Sequence, residues 1–142
     1  MQLLLTLSSL KVPMEFKQIK ETCIYFNDLS LAKSFYNQIL DLPIISEVEG
    51  KHIFFRAGTS VLLCFNPDDS RLKESPPPHY SEGKYHFALE VAPELYQQHK
   101  EEILRKGIKI IDTLVWKNGQ ESFYFNDPIG NVVEIIPEGV WD

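Results

Sequence analysis

Cysteine is scarce in this chain. Its 142 residues include two, Cys23 and Cys64, each inside an apolar run rather than at the spacing of a disulfide framework. That excludes a disulfide-stapled scaffold and predicts reduced thiols in a cytoplasmic protein. Positive charge is short as well, with 14 Lys and Arg against 20 Asp and Glu for a formal net charge of −6. Phosphate backbones and anionic membranes repel such a surface, so neither nucleic acid nor membrane is an expected partner. Long hydrophobic runs are also missing. The apolar part of the opening MQLLLTLSSLKVP is too short to span a bilayer. It also lacks the positive flank and small-residue cleavage site of a signal peptide. Met14 follows at once and makes a natural start, so residues 1–13 are expected to be a tail outside the fold.

What remains is ordinary globular material, 44% hydrophobic and 24% charged, in a length that suits one domain. The order of its segments repeats. From Glu21 the chain reads ETCIYFND, SLAKSFYNQIL, KHIFFRA and TSVLLCF; from His86 it reads HFALEV, ELYQQHKEEILRKG, ESFYFND and NVVEII. Each pass is a strand, an amphipathic helix and at least two further strands. Leu31, Phe35, Tyr36, Ile39 and Leu40 recur at helical spacing in the first helix. Leu95, His99, Ile103 and Leu104 do so in the second, where Gly107 stands as a C-cap. NPDDSRLKESPPPHYSEG between the passes has the composition of a linker. The pattern predicts an α+β fold made of tandem βαβββ modules, about residues 17–67 and 84–138, within one domain spanning 14–142.

Period-2 alternation assigns the strand faces. Thr22, Ile24 and Phe26 suit a helix-packed face, which leaves Glu21, Cys23 and Tyr25 on the other. Phe87, Leu89 and Val91 likewise oppose His86, Ala88 and Glu90. In NVVEII, Val133 and Ile135 oppose Val132, Glu134 and Ile136. Glu134 is the anomaly, a carboxylate centred in an apolar strand, where burial without a partner costs several kcal/mol. Three strands thus carry a potential metal donor on the face turned from their helix. Two modules side by side would line a cup with those faces.

NDPIGNVVEI resembles the closing signature of the vicinal oxygen chelate superfamily, which includes glyoxalase I, extradiol dioxygenases and bleomycin-binding proteins. NDLSLAKSFYNQILDLPI is similar to that family's first helix, and YHFALEV to the strand opening its second module. The resemblance covers roughly residues 17–138. It implies a curved mixed-sheet cup and a homodimer, since such cups usually complete their edges against another chain. Metal-using members take ligands from the first strand of each module and from the last strand. Carried over, those positions are Glu21, His86 and Glu134, with histidine the commoner residue at the place of Glu21. A fourth ligand would come from VLLCF, where Leu62 and Leu63 cannot coordinate and Cys64 is the nearest donor. The resemblance therefore implies three ligands for a divalent ion of Zn, Mn, Fe, Ni or Co. Glu134 or Glu21 doubles as the proton-shuttling catalytic group.

Other candidates have plainer alternatives. Cys23 and Tyr25 share the face of Glu21 and are candidate substrate contacts, or else a small buried hydrophobe and a rim aromatic. Arg56, alternating with His52 and Phe54, suits an anionic substrate group or plain solvent. Trp116 and Tyr124 suit pocket walls or core packing. His79 reads as a turn residue in PPPH, with a loop role over the cup as the alternative, and His99 as structural. The leading expectation is a metal-dependent enzyme, lyase- or isomerase-like, on a small oxygenated molecule. The alternative is a metal-free, bleomycin-resistance-like binding protein.

Overall fold

The computed structural model describes residues 13–142, so the expected tail, all but Pro13, lies outside the described residues. The first module runs β1 (Glu21–Tyr25), α1 (Leu29–Ala32), a π-helical continuation (Lys33–Ile39), β2 (Ile44–Val48), β3 (His52–Ala57) and β4 (Ser60–Phe65). A short helix, α2 (Pro67–Ser70), opens the linker. The second module runs β5 (His86–Val91), a 3-10 turn (Pro93–Leu95), α3 (Tyr96–Arg105), β6 (Asp112–Val115), β7 (Glu121–Asn126) and β8 (Val132–Pro137). The two modules have the same topology. Their strand orders are β1-β4-β3-β2 and β5-β8-β7-β6, with the first pair of each parallel and the others antiparallel. The expected α+β class and tandem βαβββ units are present.

Local chemistry accounts for the boundaries. Asp28 caps α1 by accepting the Ser30 amide at 3.0 Å, which satisfies one of the donors a helix start leaves free. Gly107 follows α3 with φ of 82°, a left-handed conformation that glycine adopts without a Cβ clash. The second strand of each module, β2 and β6, had little pattern of its own. β6 is exposed along its whole length, so no burial period marks it.

One core serves both modules. Ile24, Phe26, Tyr36, Phe55 and Leu62 of the first meet Ile103, Phe123, Phe125, Val133 and Ile135 of the second. The helix-facing sides of β1 and β8 are those assigned from alternation. Not every periodic residue joins them: Leu31, Leu95 and Leu104 are exposed. Helical spacing marks a face, but in α3 only Ile103 is buried.

The two sheets remain separate ladders rather than one continuous sheet, and β1 and β5 are both edge strands. A cleft of about 640 Å³ lies between the modules, walled by Thr22, Leu42, Leu62, Phe87, Leu89 and Ile135. Phe55 is fully buried in the shared core and lies 5.8 Å, ring to ring, from Tyr36. Phe55→Ala is expected to cost about 3–5 kcal/mol. Urea unfolding should show that loss as a lower midpoint with an unchanged slope.

Candidate metal centre

Strand register places the site. β5 and β8 run parallel with His86 opposite Val132, while Tyr124 of β7 pairs with Glu134. His86, Glu134 and Tyr124 therefore rise from three adjacent strands onto one face. The His86 Nε2 lies 3.2 Å from Glu134 Oε1, and the His86 and Tyr124 rings are 6.0 Å apart.

The hydrogen bonds define the chemistry of this pair. His86 Nδ1 lies 3.0 Å from the Val132 carbonyl oxygen. A carbonyl only accepts, so Nδ1 carries the proton and Nε2 is the nitrogen turned to Glu134. When the imidazole is neutral, Nε2 and Glu134 Oε1 are two acceptors facing each other. They need a proton or a cation between them. Glu134 itself is only 4% exposed, and its Oε2 is buried with no hydrogen-bond partner. A buried carboxylate with one orphaned oxygen beside an anchored imidazole has the donor chemistry of a divalent cation site. Burial raises the Tyr124 phenol above its usual range, the Ser122 hydroxyl partly offsets this, and the Glu134 charge adds to it. Tyr124 thus stays a hydrogen-bond donor.

Glu21 does not join them. It is exposed at the start of β1, on the other sheet. Among the described residues no group of three His, Cys, Asp or Glu side chains is arranged to hold a metal ion. One chain brings two of the three expected donors together. Cys64 is fully buried and its thiol is pushed far up, by burial first and by Asp127 second, so it offers no thiolate.

The remaining candidates fall in two places. Cys23 and Tyr25 lie beside Glu21 on the outer face of the first sheet. Cys23 is an exposed residue whose sulfur is still partly screened from water, and that screening, then Glu21, raises its pKa. Tyr25 bonds His79 at 2.8 Å between its hydroxyl and Nδ1. His79 also packs edge-on against Phe65 at 4.6 Å, so the linker lies over this face and the turn reading of His79 is corrected. His52 and Phe54 stack at 4.0 Å on the same face, whose aromatic character the sequence reading did not identify as a unit. Arg56 sits on β3, partly buried. Trp116 donates its indole N–H to Ser122 and packs against Trp141 at 5.2 Å.

The glyoxalase-like domain family matches residues 19–138. The chain belongs to that family. Among solved structures it resembles a lactoylglutathione lyase from Agrobacterium tumefaciens, with TM-score 0.83 and 29% identity over 89% of this chain and 98% of that one. A glyoxalase/bleomycin resistance protein/dioxygenase from Nocardioides gives TM-score 0.72 at 21% identity, over 97% of this chain and 95% of that one. A glyoxalase/dioxygenase from Nostoc punctiforme gives 0.64 at 23%, over 89% and 98%. The last two show a shared fold. Comparison with curated proteins found no match. Among the described residues no helix is long and apolar enough to cross a membrane.

Replacing Glu134 by Gln removes a negative charge from beside Tyr124. The Tyr124 phenol is then expected to titrate at lower pH than in the parent, because its ionised form loses a repulsive neighbour. Nuclear magnetic resonance of the tyrosine ring carbons against pH reads this directly; an unmoved Tyr124 would separate the two groups electrostatically.

Proposed function

We propose that this family member is a metal-dependent enzyme acting on a small molecule with two neighbouring oxygens, with His86 and Glu134 among the ligands of the divalent ion. The observation that carries the reading is the buried Glu134 carboxylate, with one oxygen facing an anchored imidazole and the other without a partner. When bound, the ion supplies Lewis-acid polarisation of the substrate oxygens. One imidazole with carboxylates accepts Zn²⁺, Mn²⁺, Fe²⁺, Ni²⁺ or Co²⁺. Glu134 or Glu21 moves a proton at the carbon beside a carbonyl, and Tyr124 offers a neutral donor to the substrate. The likeness to a lactoylglutathione lyase favours a lyase- or isomerase-like reaction. Cys23, Tyr25, Arg56 and Trp116 are the proposed substrate contacts, and the cytoplasm is the proposed location.

The competing reading is a metal-free binding protein, favoured by the aromatic face of Tyr25, Phe54, Phe65 and His79. Calorimetry separates the two. The parent should bind Zn²⁺ or Mn²⁺, and Glu134→Gln should weaken that binding about tenfold or more. Affinity should rise from about pH 5 to about pH 7, because a coordinating imidazole is neutral and a coordinating carboxylate ionised. Equal binding by both proteins, or none by either, hands the lead to the binding-protein reading.

We also propose a homodimer in which Glu21 reaches the His86–Glu134 pair of the second copy. Two exposed edge strands and a site lacking its third donor support it. Mixing Glu21→Gln with Glu134→Gln chains should then restore metal binding, since half the sites of each mixed dimer contain neither substitution. A mixture no better than its parts would place all ligands in one chain.

A further inference from the structure

A chain of hydrogen bonds, buried around Asp127 and exposed where it ends, runs from the first helix to His86. The Tyr36 hydroxyl donates to Asp127 Oδ2 at 2.8 Å. Asn131 Nδ2 donates to the same oxygen at 2.8 Å, and the Ile129 and Asn131 amides fill Oδ1. Asn131 Oδ1 accepts the Tyr85 amide at 2.9 Å, the Tyr85 carbonyl accepts the Val132 amide at 2.7 Å, and the Val132 carbonyl accepts His86 Nδ1. Asn131 is 1% exposed and Tyr36 fully buried, so water offers neither a substitute partner.

The first helix is built for this contact. Lys33–Ile39 is π-helical, a rare geometry that tends to persist where it serves a function. Within it Phe35 and Tyr36, adjacent in sequence, are both buried. Phe35 packs on Phe125 at 6.1 Å, while Tyr36 lies against Phe87 at 6.1 Å and reaches Asp127 with its hydroxyl.

We propose that Asn131 and Tyr36 are positioning residues for the metal centre: they lock β5 against β8 at the register that ties His86 Nδ1 to Val132 and turns Nε2 toward Glu134. Metal affinity in the second module is thereby coupled to the helix of the first. The inference rests on the metal reading above for its functional consequence, and on the hydrogen bonds alone for its structural one. The Asp127 carboxylate is the joint between the two residues. It takes one donor from each module on a single oxygen.

The test reads His86 directly. Ring nitrogen shifts of His86 in the metal-free protein, at mildly alkaline pH, report which nitrogen carries the proton. Asn131→Ala and Tyr36→Phe are expected to move His86 from the Nδ1–H form toward a mixture, and Zn²⁺ affinity should fall about tenfold in Asn131→Ala. Tyr36→Phe alone decides if Asn131→Ala does not fold. Ile53→Val, a core substitution outside the hydrogen-bond chain, should leave both readouts unchanged. An unmoved His86 in the folded variants overturns the proposal, as does an equal effect from Ile53→Val. If the parent binds no metal but the variants still move His86, the positioning stands and the metal reading fails.

Discussion

The buried carboxylate of Asp127 is shared by both halves of the molecule. A carboxylate taken out of water costs several kcal/mol unless its oxygens find donors. Here four donors converge: the Tyr36 hydroxyl, two backbone amides and the Asn131 side chain. Three of them shape the turn before β8, and the fourth comes from the first helix. The fold therefore cannot satisfy Asp127 unless the modules dock in one orientation. Around that point the aromatic rings of Phe26, Phe35, Phe55, Phe87 and Phe125 close over Tyr36 or its neighbour.

That docking sends the two helix-facing surfaces inward and leaves the opposite surfaces open. The first open face is aromatic and carries Glu21, Cys23 and Tyr25; the second is polar and carries His86, Glu134 and Tyr124. A family in which one scaffold hosts many reactions needs this separation between what folds and what reacts. The core can hold its geometry while open-face residues change. Glu134 sits on the boundary, buried like a core residue yet beside His86 on the open face.

Much of this was legible as pattern. Alternation in HFALEV and NVVEII assigned the faces of β5 and β8, because every second residue of a strand points the same way. The duplicated segment order gave the modules, and an ionisable residue inside VVEII marked the carboxylate that the structure buries beside His86. The reading of His79 went astray because PPPH carries turn chemistry locally, while its packing partners Tyr25 and Phe65 lie 54 and 14 residues away. Leu95 and Leu104 had the right spacing, but spacing does not say how wide a stripe the sheet covers.

By itself, then, the sequence determined the class of fold, the repeated unit and the anomaly at Glu134. These follow from local period and composition, which need no knowledge of what a residue meets. Only the tertiary structure decided which of the candidate residues meet. It paired His86 with Glu134 across a parallel ladder, held Glu21 on a separate sheet, and joined Tyr36 to Asp127 over 91 positions. Partners so far apart in the chain are chosen by register and module docking, and neither leaves a local mark in the order of residues.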